Sequence, residues 1–435
     1  MGQPHAPGFT GPGGRQTARG PGGRLKTGMI ICVIAATIYA SLAFPSSALA
    51  ASSHIPCGDV AGLKAAINAA NITPSKLTIV HLAPACRYEL TSADNGDNGL
   101  PVIGSPITVM GNRSTIARSG ALGTPSFRIW EVASTGSLTL NQLSVVGGTA
   151  SRGGGILNDG GRLTLQVGRV VGNVVRTSGL AAGGGIYNTG TATIIASQVQ
   201  GNLVDSSGDV AEGAGIENGG GSLTLRASQV FANSVTSSGD AAIGGGIDNG
   251  FGATLNLIAS NVYDNTAGSL NQLGGGGGIS NVGSVVLTSS QVHDNTARST
   301  NGNARGGAIS DVGKFTLNAS RVYDNRSMSA GVVAGGIYTG GGITINSSQI
   351  FGNTADNTGT VPGQASEGGG VFIAGGADSV FTDTSITRNR AVGLEAHGGG
   401  VFVLGAAALT LVNSLVTANV PDNCFPPGSV SGCSG

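Results

Sequence analysis

Charge is scarce in this sequence. Only 10% of its 435 residues are charged, and 22 acids balance 22 bases. With no basic excess, nothing points to nucleic-acid binding. Aromatic residues make up 4%, with a single Trp, so a core has to be built from Val, Ile, Leu and Ala. Cysteine is absent between Cys86 and Cys424. Glycine is the opposite case, at 78 residues. That much glycine raises the question of a disordered polymer, which the 40% hydrophobic content excludes. The length allows two or three domains.

The first fifty residues contain no acid. Arg15, Arg19, Arg24 and Lys26 precede the apolar run Met29–Phe44, followed by Pro45 and "SSALA" at Ser46–Ala50. A basic start, a short apolar middle and an Ala-x-Ala end are the pattern of a secretory signal peptide, cut after Ala50. An uncleaved anchor is the alternative, but the run falls short of the roughly 20 residues that span a bilayer. The chain from residue 51 onward carries 18 bases and 22 acids, a net charge of −4.

Four cysteines remain after cleavage: Cys57, Cys86, Cys424 and Cys433. They allow three pairings. Pairing Cys57 with Cys86 and Cys424 with Cys433 staples each end locally, as an oxidising compartment permits. A zinc site needs closer CxxC-type spacing.

The glycines are periodic. "GGGILN" (Gly153–Asn158), "GGGIYN" (Gly183–Asn188), "GAGIEN" (Gly213–Asn218) and "GGGIDN" (Gly244–Asn249) begin a series of nine that ends with "GGGVFVL" at Gly398–Leu404. Its apolar anchors, Ile156 to Val401, are spaced 28 to 34 residues apart. Each copy continues with an "LTL"-like run and a segment such as "SQVFAN" (Ser228–Asn233), both alternating apolar and polar as half-buried strands do. A variable polar stretch closes the copy and reads as a surface loop. A propeller blade needs about 40–45 residues, and no helical period is present. Three short strands per period predict an all-β fold, a parallel β-helix. Equivalent residues then stack at about 4.8 Å. Val170, Val199, Val230 and their successors form one inward ladder, and Asn173, Asn202, Asn233 and theirs a second. The amides of the second pair along the stack.

"DVAGLKAAINAAN" (Asp59–Asn71) predicts the only helix after residue 50, with Asp59 as N-cap and Val60, Leu63, Ala66 and Ile67 on one face. The expected organisation is a signal peptide (1–50), an N-terminal cap (51–76), the β-helix (77–420) and a disulfide-closed tail (421–435). Leu77–Leu82, Ile107–Met110 and Phe127–Val132 are its irregular first strands, and Pro421 is expected to stop pairing.

The repeats "VYDN … GGGI", "IFGN … GGGV" and "VHDN … GGAI" resemble the FxxN and GGA[ILV] repeats of polymorphic outer-membrane proteins. Cys57–Thr91, "CGDVAGLKAAINAAN … TIVHLAPACRYELT", resembles the CSLREA-type start of secreted bacterial β-helix proteins. Together the two resemblances cover roughly residues 57–420. They imply a right-handed parallel β-helix, a pectin-lyase-like solenoid, exported by a bacterium, and say little about function. Outer-membrane passengers end in a membrane β-barrel. None is visible before Gly435, so self-translocation is not expected.

Catalytic signatures are missing. Polygalacturonase-like enzymes carry Asn-Thr-Asp, Asp-Asp and Arg-Ile-Lys motifs, none of which occurs here. His397-Gly398 occurs inside a glycine repeat and reads as loop variation. No Gly-x-Ser-x-Gly elbow stands out from the repeats. A broken threonine column from Thr139 to Thr410 is ordinary β-propensity.

Two columns stand out. Asp264, Asp294 and Asp324 occupy one position of three successive coils, where like charges repel. They are candidate calcium ligands, with Asn265, Asn295 and Asn325 adding oxygens if those face outward. Phe231, Tyr263, His293, Tyr323 and Phe351 follow inward positions and so point outward. They form either a binding face or a self-stabilising stack. The sequence is thus read as an exported structural or adhesive protein that contacts polysaccharide or a cell-surface protein. No cofactor apart from calcium is expected, and no membrane anchor once the signal is removed. A divergent polysaccharide lyase or glycoside hydrolase is the runner-up.

Overall fold

A computed structural model describes residues 51–360, 364–375 and 378–433. The signal-peptide reading concerns residues 1–50 and lies outside them. The described chain is a parallel β-solenoid of about twelve turns with a single helix.

One coil shows the plan. Ile186–Asn188 lies in an eleven-stranded sheet, and Thr191–Ile195 and Gln198–Gln200 in a long 23-stranded sheet. Leu203–Ser206 belongs to a nine-stranded sheet, and Ala211–Glu212 to an eight-stranded one. The next coil starts in register, Ile186 beside Ile216. The coil therefore has five short strands rather than three. The two extra ones come from the stretch read as a variable loop. Their outward residues are mixed polar, and the last is two residues long, so no alternation was visible there. Length varies in the turn between those two and in the turn after the eleven-stranded sheet, which has two residues between Asn188 and Thr191 and four between Asn249 and Thr254.

The Val170–Val199–Val230 ladder is buried throughout. So is the asparagine ladder, where Asn265 is typical. Its Nδ2 donates to Asn295 Oδ1 at 3.0 Å and to the carbonyls of Val230 and Tyr263 at 3.0 and 2.9 Å. Its Oδ1 accepts from the backbone and side-chain nitrogens of Asn233 at 3.1 and 2.9 Å. A carboxylate could not donate and an apolar residue could do neither, so only an amide fits a buried rung. A second ladder escaped sequence reading: Asn158, Asn188, Asn218, Asn249 and Asn281 link Nδ2 to Oδ1 and end on Asp311 and Thr339. The recurrent glycines serve close approach: a Cβ on Gly185 would stand 2.5 Å from the Gly215 carbonyl oxygen.

The helix runs Val60–Ile72 with Asp59 as N-cap, whose Oδ1 accepts from Gly62 N at 2.8 Å. Leu63, Ile67 and Ala70 are buried against the first coils. The solenoid starts earlier than expected. Ala51–Ile55, inside the predicted cap, pairs in parallel with Thr78–Leu82; "ASSHI" has one buried residue and no readable alternation. Ile107–Met110 is part of a 13-residue strand, Pro106–Arg118, and the third early strand is Trp130–Val132. At the far end Cys424–Phe425 still adds a rung, pairing with Val401–Phe402, so Pro421 does not end pairing in the eleven-stranded sheet. Both disulfides join the expected partners, Cys57–Cys86 and Cys424–Cys433, with Cα separations of 5.5 and 6.2 Å.

Candidate functional site

The three aspartates do share a column, and backbone conformation explains why. Asp264, Asp294 and Asp324 have φ of 53, 55 and 53° at the corner that follows the long sheet. Gly172, Gly201 and Gly352 occupy the same corner with φ of 62, 62 and 67°. Glycine and aspartate are among the residues that accept this left-handed conformation. Burial and then Asp294 raise the Asp324 carboxyl above its ordinary value, while His293 and Arg388 oppose the rise. His293 Nδ1 lies 2.7 Å from Asp294 Oδ2. Asn265, Asn295 and Asn325 face inward, so their oxygens serve the ladder and add nothing to an outward cation site. Among the described residues no group of three or more His, Cys, Asp or Glu side chains is arranged to hold a metal ion.

Phe231, Tyr263, His293, Tyr323 and Phe351 also come together, as one continuous stack. Successive ring centroids are 4.8, 5.1, 4.7 and 5.0 Å apart, with planes within 7°. Tyr323 donates to Gln291 Oε1 at 3.0 Å, and the Arg388 guanidinium covers the Phe351 ring at 5.7 Å. Each inner ring has both faces against neighbours, so the stack presents edges rather than open faces to solvent. That geometry serves the sheet itself.

Sequence reading missed a third column, on the outward face of the eleven-stranded sheet: Tyr187, Glu217, Asp248, Ser280, Ser310, Tyr338, Phe372, Phe402 and Phe425. Its last four rings stack at 5.1–5.4 Å. Glu217 and Asp248 are only 3% exposed, although alternation points them away from the core. The chain bends sharply at Gly213 and Gly244, with φ of 53 and 65°, and folds the eight-stranded sheet towards this face. Burial pushes the Glu217 carboxyl well up, and repulsion from Asp248 and Glu212 adds to it. Asp248 is raised by burial, against hydrogen bonds from Ser280 and Glu217. Burial therefore favours the protonated form of both carboxyls. Glu212 is pushed up to about 7, first by burial and then by Asp248. With Glu217 Oε2 and Asp248 Oδ1 enclosed and unpartnered, this pair is out of a substrate's reach.

An open cleft of about 460 Å³ lies elsewhere, on the nine-stranded sheet. Thr236, Ser238, Thr300 and Thr358 supply hydroxyls, Leu270 and Met328 apolar surface, and Asp205 and Arg298 charge. Asp205 accepts from Thr236 Oγ1 at 2.9 Å and faces Arg176 at 3.6 Å. The rim is held by buried serines: the Oγ atoms of Ser237, Ser269 and Ser299 donate to the carbonyls of Asp209, Asp240 and Gln272 at 2.8, 2.8 and 2.6 Å. Each also accepts a backbone N–H from the loop of its own coil, at 2.9–3.0 Å. The loops beside the cleft are thus fixed before any ligand arrives. In sequence the signal was the recurrent Ser at Ser206, Ser237, Ser269, Ser299 and Ser329, hidden in segments of unequal length.

No family model, curated protein or solved structure matches the chain. Fold and site together define a parallel β-solenoid with one preformed, hydroxyl-lined cleft on its flank.

Proposed function

We propose that this chain is an exported structural or adhesive β-solenoid that binds polysaccharide in the cleft of its nine-stranded sheet. The observation that carries the reading is the cleft's lining: seven hydroxyl side chains, two apolar ones and one charge of each sign on a rigid frame. Hydroxyls and a few fixed polar groups over an apolar patch suit a hydroxyl-rich chain. Export is supported by the disulfides at both ends and by the signal-like start of the sequence. Binding is favoured over hydrolysis because canonical glycosidases set two carboxyl groups beside the scissile bond, and Asp205 is the sole acid lining the cleft.

The test is to incubate the disulfide-intact protein with a panel of neutral and acidic polysaccharides, scoring retention on each polymer and release of new reducing or unsaturated ends. Retention without products is expected. Products would replace this reading by the lyase or hydrolase alternative, and the absence of any retention would remove it.

A further inference from the structure

The outward column that floors the cleft runs Arg176, Asp205, Thr236, Gly268, Arg298, Met328, Asp356. Its charges are nearly all matched. Arg176 faces Asp205, and Arg326, on the neighbouring outward column, pairs with Asp356. Arg298 stands between Gly268 and Met328, and no acid lies on either adjacent rung. Among the described residues its guanidinium has no hydrogen-bond or ion-pair partner, while its backbone stays in the ladder.

Gly268 makes this arrangement possible. It has an ordinary extended backbone, so no turn demands glycine. A Cβ there would stand 2.9 Å from Arg298 Nε and 3.5 Å from one of its terminal nitrogens. The missing side chain leaves a gap one rung wide, and the Arg298 side chain lies across it along the cleft floor. An unpaired guanidinium carries five N–H donors in a planar fork. Carboxylates and sulfates match that fork with two parallel hydrogen bonds, which neutral hydroxyls do less strongly. The Ser238 and Thr300 hydroxyls line the same cleft, Ser238 two rungs before Arg298 and Thr300 on its own coil.

We infer that Arg298, lying over the Gly268 gap in the hydroxyl-lined cleft, is the anion-reading residue of a site for an acidic polysaccharide. The inference rests on the proposed polysaccharide reading and adds the ligand's charge. The shared chemistry is a carboxylate or sulfate oxygen pair borne on a hydroxylated chain. Specificity follows from position: the anion has to sit one to two rungs from the hydroxyls, so an isolated carboxylate without the sugar chain gains little.

The experiment is affinity electrophoresis of the disulfide-intact chain through gels containing polygalacturonate, chondroitin sulfate or a neutral β-glucan, at low and physiological salt. It compares the parent with Arg298→Gln, Gly268→Thr and Arg226→Gln. Arg226 is an exposed residue of the long sheet that supplies the same charge change on another face. Retardation by at least one acidic polymer is expected to fall roughly tenfold or more in Arg298→Gln. A comparable loss is expected in Gly268→Thr, whose side chain fills the gap, with Arg226→Gln unaffected. The preferred polymer tells carboxylate from sulfate. Equal loss in Arg226→Gln would mean non-specific charge attraction and overturn the inference. Retardation by neutral glucan that equals that by the acidic polymers, or survives Arg298→Gln unchanged for all of them, would overturn it while leaving polysaccharide binding intact. Retardation by no polymer would remove both. Far-ultraviolet circular dichroism of each variant separates a lost site from a lost fold.

Discussion

Glu217 and Asp248 occupy the same position on adjacent rungs, each 3% exposed, and burial raises both carboxyls above their ordinary values. The arrangement makes stability depend on pH in the reverse of the usual acid-denaturation sense.

The sign follows from linkage. Glu217, Asp248 and Glu212 have raised values in the folded protein, Glu212 reaching about 7. The folded state then binds more protons than the unfolded chain above the ordinary carboxyl range. Stability from these groups is full below about pH 4 and is lost as pH rises through 7. Thermal unfolding midpoints are expected to fall between pH 5 and pH 8. Glu217→Gln, whose amide donates to Asp248 without needing a proton, should raise the midpoint at pH 8 and flatten the profile. A midpoint that climbs from pH 5 to 8 in the parent and variant alike would contradict the raised carboxyl values.

The asparagine ladder sets a second expectation. Asn295→Ala removes donors to the carbonyls of Val262 and His293 and breaks the link to Asn325; the first and last of these are buried and the second is part-buried. Leaving such groups unpaired costs about 1–3 kcal/mol each, so the variant should lose about 3 kcal/mol or more. Hydrogen exchange is the suitable measurement, because solenoids open repeat by repeat. Amides of the coils around Asn295 should exchange faster, while those near the N-terminal helix keep their protection.

The aromatic stack yields a prediction opposed to a binding role. Tyr323→Ser deletes two ring contacts, to His293 and Phe351. At about 0.5–1.5 kcal/mol per aromatic pair, a loss of about 1–3 kcal/mol in stability is expected. Polysaccharide retention measured below the unfolding transition should be unchanged in Tyr263→Ser and Tyr323→Ser. Loss of retention with intact stability would restore the stack as a binding face.

The Cys57–Cys86 bond spans 29 residues and ties the turn before the helix to the strand Arg87–Leu90. Closing a loop of that length stabilises by about 3–4 kcal/mol in the chain-entropy account. The Cys57→Ser/Cys86→Ser double variant should lower the denaturant midpoint, and reducing agent should then have a smaller further effect than on the parent.

Much of the fold was legible because a stacked coil writes the same requirement at every turn. Val170, Val199 and Val230 recur since each must fill one core slot, and Asn173, Asn202 and Asn233 since only an amide satisfies its rung. Alternation also put Phe231 and Tyr263 correctly on the outside. What it could not convey is how an outward residue is covered. Glu217 and Tyr263 have the same local signature, yet one is enclosed and the other partly open. The difference lies in the bend at Gly213 and in Glu212, on a two-residue strand with no readable pattern of its own.

By itself, the sequence determined the architecture: period, parallel stacking, inward ladders, the capping helix and the cysteine partners. Each follows from short-range chemistry repeated along the chain. Tertiary structure decided the surface chemistry. It turned Asp264, Asp294 and Asp324 into corner residues, closed the ring stack on itself and buried Glu217 against Asp248. It also brought Gly268 and Arg298 together in a cleft whose walls come from several coils. Those outcomes depend on how neighbouring sheets meet, and one-dimensional spacing carries no record of the angle between them.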